Sequence, residues 1–117
     1  MKRLQKQTRS RERPSILGFP VDDVNMETAS NRVNTLINSP GTSYCVAVNP
    51  EKVYAVRRCP PLADFCGSAD LLIPDGIGVV AALRLMGYRK VSRVPGVDLM
   101  LRVCDMSSFY GHRVFVY

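Results

Sequence analysis

Tryptophan is absent, histidine occurs once, and none of the four cysteines sits in a CxxC pair. The missing Cys/His spacing excludes a zinc clamp, so no metal site is expected. The lone His112 comes late in the chain, no Ser-His-Asp arrangement has sequence support, and no P-loop lysine pattern is present. No apolar stretch approaches the ~20 residues of a spanning helix. No apolar core of about seven residues with a small-residue cleavage site marks a secretory leader. The thiols are therefore expected to be reduced, with Cys45 and Cys104 as small core residues in apolar patterns. Net charge is also scarce over most of the chain. The total is +6, but residues 1–13 carry Lys2, Arg3, Lys6, Arg9, Arg11 and Arg13 against Glu12 alone, which leaves +1 for everything after them. The high pI thus gives no evidence for a basic nucleic-acid groove in the folded part, and no nucleic-acid partner is expected. Residues 1–14 read as a basic, disordered, solvated tail. A sharper reading gives that tail to an anionic surface, lipid or nucleic acid, with affinity that falls with salt. The expected location is the cytoplasm, peripheral on the inner face of the cell membrane.

What is present is enough for one domain: 117 residues, 46% of them apolar. Residues 16–22 read as a short strand or extended entry, with Pro20 arguing for an edge. Asn25 caps a helix whose apolar positions Met26, Ala29, Val33, Leu36 and Ile37 follow a 3.6-residue period. Ser43 to Val48 reads as a buried strand. Asn49-Pro50 then opens a helix, with Asn49 as cap and Pro50 where a missing N–H costs nothing. Pro60-Pro61 breaks it, and Leu62 to Cys66 forms another turn or two. Leu71-Leu72-Ile73 is the next buried strand. The helix after Gly76 is apolar nearly all round and is expected to be largely buried. A further helix begins near Asp98 and ends at Gly111, and Arg113 to Tyr117 reads as a strand. The alternation predicts an α/β, Rossmann-like fold, a mainly parallel sheet with flanking helices that stops after its fourth strand. Such a terminal strand would leave an unpaired edge and invite self-association.

Ligands in open α/β sheets gather beyond the carboxyl ends of the strands. Two strand ends carry a polar residue at the start of a helix: Asn49-Pro50-Glu51 and Pro74-Asp75-Gly76. If these strands are parallel neighbours, Asn49 and Asp75 share one crevice, and the free N–H groups of the following helices suit an anion. Asp75 is then either a helix cap or a general base for a sugar hydroxyl. Asn49 is equally an ordinary helix opening. Arg93-Val94-Pro95-Gly96-Val97-Asp98 is a third candidate, a glycine loop between Arg93 and Asp98 able to hold a diphosphate or a sugar hydroxyl, or else a solvent loop with a capping aspartate. Gly76-Ile77-Gly78 is a poor dinucleotide loop, because the third glycine is replaced by Ala81. No cofactor is expected.

Together these stretches resemble the WecG/TagA/CpsF glycosyltransferase family. The resemblance rests on Ile16 to Asp22, Val48-Asn49-Pro50-Glu51-Lys52-Val53, Asp70 to Val80, Arg93 to Met100 and Gly111 to Val116, in that order, and covers residues 15–117 as a domain's N-terminal part. It implies an inverting, metal-independent transfer of a sugar such as N-acetylmannosamine from a UDP donor to a polyprenyl-diphosphate-linked sugar, in cell-surface polysaccharide synthesis. It implies Asp75 as base, with Asn49, Gly76, Arg93, Gly96 and Asp98 at the substrates. A family threonine commonly stands two residues before the Asn; here that position is Ala47. Family members run to about twice this size on the domain scale. The chain is therefore expected to be an N-terminal half with little or no activity of its own, and the alternative function is that of an inactive remnant or half-domain.

Overall fold

In the computed structural model, which describes residues 13–117, the chain opens on a hairpin of two short antiparallel strands, β1 (Ser15–Ile16) and β2 (Phe19–Pro20). Most of the basic segment 1–14 lies outside the described residues. Helix α1 (Met26–Ile37) follows, closed by a reciprocal capping box between Asn25 and Thr28. Strand β3 (Cys45–Val48) leads into α2 (Pro50–Val56) and α3 (Pro60–Gly67). Strand β4 (Leu71–Pro74) leads into α4 (Ile77–Leu85), and α5 (Gly96–Tyr110) completes the order. Pro60 sits in the first turn of α3, where proline fits a helix, so α3 starts two residues before the expected Leu62.

Strands β3 and β4 pair in parallel, with Cys45 opposite Leu71 and Val48 opposite Pro74. The two-residue period of a strand sends alternate side chains to opposite faces. Val46, Val48 and Leu72 join Phe19, Val21, Val53, Cys66, Val79, Val80 and Leu83 in one core. Leu71 and Ile73 join Val24, Ala29, Val94 and Leu99 in a second core, lined also by Val33, Leu36, Ala47 and Val103. Helices therefore cover both faces, which is why the strands read as continuous apolar runs. Leu72 is fully buried, so Leu72→Ala is expected to cost about 2–5 kcal/mol. The architecture is α/β with five helices and a small parallel sheet among the described residues, compatible with a Rossmann-like arrangement.

The outer edge of β4 is occupied rather than open. The Asp22 N–H donates to the Leu72 carbonyl at 2.9 Å, and the Leu72 N–H donates to Asp22 Oδ2 at 2.8 Å. The Val94 N–H donates to the Pro74 carbonyl at 2.8 Å, and Pro74 has no N–H to satisfy on that side. On β3, Lys52 Nζ donates to the Ala47 carbonyl at 2.8 Å.

Four sequence expectations are corrected. Arg113 to Tyr117 forms no strand: Val114 to Tyr117 are exposed and pair with no strand among the described residues, and β-propensity alone does not hold a strand without a neighbour. Helix α4 is not buried all round. Val79, Val80 and Leu83 face the core, while Ile77 and Leu85 are exposed, since a helix lying on one sheet face buries only one stripe. Cys45 is exposed and Cys104 half-buried; the cysteine in the core is Cys66. Arg13, counted with the basic tail, belongs to the fold. Its Nε donates to Asp22 Oδ1 at 2.9 Å and its Nη2 to the carbonyls of Ala69 and Asp70, both at 2.9 Å, with little of the side chain exposed.

Candidate active site

Asn49 and Asp75 are the residues that follow Val48 and Pro74, the last paired positions of β3 and β4. Parallel pairing brings their backbones to one end of the sheet, and the Asp75 N–H donates to the Val48 carbonyl at 3.0 Å. The next amide, Gly76, reaches the same carbonyl at 3.3 Å. Both helices that follow start from this end.

Asn49 caps α2, with its Oδ1 accepting from the Lys52 N–H at 2.8 Å. That use fixes the amide plane and turns its NH2 group away from the cap. Asp75 does not cap α4. The residue in the cap position is Gly76, and no side chain closes that helix end. The sequence reading of Asp75 as a cap is therefore corrected, and its carboxylate is left half-buried at the crevice.

Gly76 is required by proximity. A Cβ there would stand 2.8 Å from Pro50 Cδ, closer than real side chains approach, and 3.5 Å from Asn49 Cα, an ordinary contact. The missing side chain lets α2 and α4 begin almost in contact. Gly96 closes the other side, where a Cβ would lie 3.9 Å from Asp75 Oδ2 and 3.8 Å from Ala47 Cβ. Ala47, at the position where the resemblance implies a threonine, thus sets its methyl group beside Gly96 on the same side as the carboxylate.

Arg93 arches over Asp75. Its Nε donates to the Asp75 main-chain carbonyl at 2.6 Å, and its Nη2 lies 3.8 Å from Asp75 Oδ1. The guanidinium is about half exposed and the carboxylate less so, which leaves charge of both signs open to a ligand. Helix α5 starts at Gly96 after Pro95, again without a side-chain cap, so the first N–H groups of α4 and α5 are unused by side chains.

The structure thus brings Asp75, Asn49, Gly76, Arg93 and Gly96 together at one sheet end. Asp98 is not drawn in by any hydrogen bond or ion pair among the described residues; it is exposed in the first turn of α5, where it complements the helix dipole. Two residues missed in the sequence support the site. Lys52 ties the first turn of α2 back to Ala47, and Asp22 seals the β4 edge. Neither carries a local signal, because each acts on backbone atoms distant in sequence or brought close by a turn.

Comparison with known proteins bears on this arrangement. The sequence pattern of the glycosyl transferase WecG/TagA/CpsF family matches residues 14–117. An N-acetylglucosaminyldiphosphoundecaprenol N-acetyl-beta-D-mannosaminyltransferase of Bacillus spizizenii is 32% identical over 97 residues, covering 83% of this chain and 38% of that protein. The protein of the same name from Bacillus subtilis strain 168 is 34% identical over 70 residues, covering 60% and 27%. One from Staphylococcus aureus is 25% identical over 103 residues, covering 86% and 41%. The chain thus spans about two fifths or less of the length of these relatives.

Proposed function

Because the chain belongs to the WecG/TagA/CpsF family of glycosyl transferases, we propose that its crevice serves sugar transfer onto a polyprenyl-diphosphate-linked acceptor. The donor is a UDP-linked sugar, N-acetylmannosamine by analogy with the relatives' names, and the acceptor sugar is N-acetylglucosamine. The product belongs to cell-surface polysaccharide synthesis. The observation that carries this reading is the uncapped Asp75 carboxylate between Arg93 and Gly96 at the ends of two parallel strands.

In this reading Asp75 accepts the proton of the acceptor hydroxyl. The freed oxygen forms the new bond to the anomeric carbon as the bond from that carbon to the diphosphate oxygen breaks. Attack from the face opposite the leaving group inverts the anomeric centre, and UDP departs with the bonding electrons. Arg93 and the open N–H groups of α4 and α5 meet the negative charge that grows on the diphosphate. Asn49 places its amide beside the acceptor. No described helix is long and apolar enough to cross a membrane.

The test is UDP release from UDP-N-acetylmannosamine in the presence of a polyprenyl-diphosphate N-acetylglucosamine, with a full-length family protein carrying these residues. Asp75→Asn is expected to lower the rate about 10²–10⁴-fold, the usual contribution of a positioned base. Equal rates for the two proteins remove Asp75 from the chemistry.

A further inference from the structure

Behind the crevice lies a second feature that the transfer chemistry does not use. A cavity of about 400 Å³ opens between the β1–β2 turn, α2 and α4, lined by Ile16, Leu17, Pro50, Tyr54, Arg57 and Gly78 among others. That volume is in the range of small-molecule sites. Its walls are mostly apolar, and Arg57 is the one charged residue among the described residues that lines it. The neighbouring Arg58 lies over the Tyr54 ring at 4.7 Å while donating to the Tyr54 hydroxyl. Pro50 is a shared wall. On one side it bounds the cavity, and on the other it abuts Gly76 and Asn49 of the crevice.

Leu17 at the mouth is the second observation. It is 74% exposed and holds φ at +50°, a region that L side chains with a Cβ rarely enter. The turn thus keeps a large apolar side chain strained and in water, at the edge of an apolar hole. A polar or glycine residue would suit that turn better if folding were the only demand.

We infer that this cavity holds the first isoprene units of the lipid acceptor, with Arg57 and Arg58 at its diphosphate. The assignment rests on the transferase reading for its choice of lipid. Apolar walls with Arg57 among them and Arg58 against the lining Tyr54 fit an anionic amphiphile better than a nucleotide, whose base and ribose require polar partners.

Calorimetric titration of the chain with farnesyl diphosphate and with inorganic diphosphate tests this. Farnesyl diphosphate is expected to bind about tenfold more tightly or better, from the apolar area it removes from water. Leu17→Asn relieves the turn, because asparagine tolerates positive φ, so its melting temperature should equal or exceed that of the wild type. The same variant should cut the preference for farnesyl over inorganic diphosphate about fivefold, and Tyr54→Ala should do likewise. An unchanged preference in both variants, or no preference in the wild type, overturns the assignment. Self-association in sedimentation that Leu17→Asn abolishes would give the cavity to a second copy and also overturn it. None of these readouts depends on turnover. A failure of the Asp75→Asn rate test with intact farnesyl binding would sink the base and spare the lipid site, and the reverse pattern would do the opposite.

Discussion

Arg93 holds Asp75 chiefly through its main chain: the bond from Nε to the Asp75 carbonyl is 2.6 Å, whereas the nearest approach to the carboxylate is 3.8 Å. The arginine therefore fixes where Asp75 stands without consuming the oxygens that a base needs. Arg93→Ala should lower stability by only about 1 kcal/mol, since the ion pair is open to solvent and one hydrogen bond is lost. Transfer should fall about 10²-fold or more, as for loss of one charge-stabilising donor. Arg93→Lys should not restore it, because a point charge cannot serve the carbonyl and a diphosphate together. Urea titration beside UDP release measures the split. A stability loss that matched the rate loss would make Arg93 structural only.

Gly76→Ala is expected to damage both fold and site. The added methyl meets Pro50 Cδ at 2.8 Å, and proline's ring offers no rotamer to escape. The starts of α2 and α4 must part, at a cost of about 1–3 kcal/mol. Gly67→Ala is the control. It has nothing within 4 Å and lies in the last turn of α3, so it should be neutral or slightly stabilising. Thermal melts of the two variants decide the matter, and equal melting temperatures would show that the contact yields freely.

Burial pushes the Cys66 thiol above its ordinary value of 9.0, with the Lys52 ammonium opposing. A raised folded-state value means that the native state keeps its proton more tightly than the unfolded chain. The resulting contribution is complete below pH 9.0 and is lost as the pH climbs toward the folded value. Unfolding free energy should therefore decline above about pH 9, and Cys66→Ala should flatten part of that decline. Thiol labelling under native conditions should mark the exposed Cys59 before the buried Cys66. Equal labelling rates would place Cys66 outside the core.

The strand-to-helix junctions were legible because their signals are local. Asn49-Pro50 fixes a cap and a first turn within two residues, and Pro74-Asp75-Gly76 ends an apolar run and starts a helix. Parallel pairing then follows from burial on both faces, which leaves uninterrupted apolar strands. That Asp75 does not cap α4 was not legible, because Gly76 can take the cap position and the choice depends on how closely Pro50 approaches. Val114 to Tyr117 has the composition of a strand, yet pairing is a property of a neighbour and not of the segment. Arg13 read as one more charge in a basic run, because its acceptors lie 9, 56 and 57 residues away.

That last pairing carries the strongest stability prediction. Arg13 and Asp22 lose most of their contact with water, with side chains 7% and 8% exposed. Each also satisfies backbone groups: Arg13 serves the Ala69 and Asp70 carbonyls, and Asp22 takes the Leu72 N–H on the free edge of β4. Taking one partner away leaves the other charged, buried and uncompensated, which typically costs about 3–5 kcal/mol. Arg13→Ala and Asp22→Ala should each approach that loss in urea unfolding. The double variant should cost clearly less than the two losses added, because the second substitution removes the stranded charge. It should not return to wild type, since the Leu72 N–H and the two carbonyls remain without their partners. Strict additivity in this cycle would mean that the two side chains act independently and that the β4 edge is held by something other than their pair.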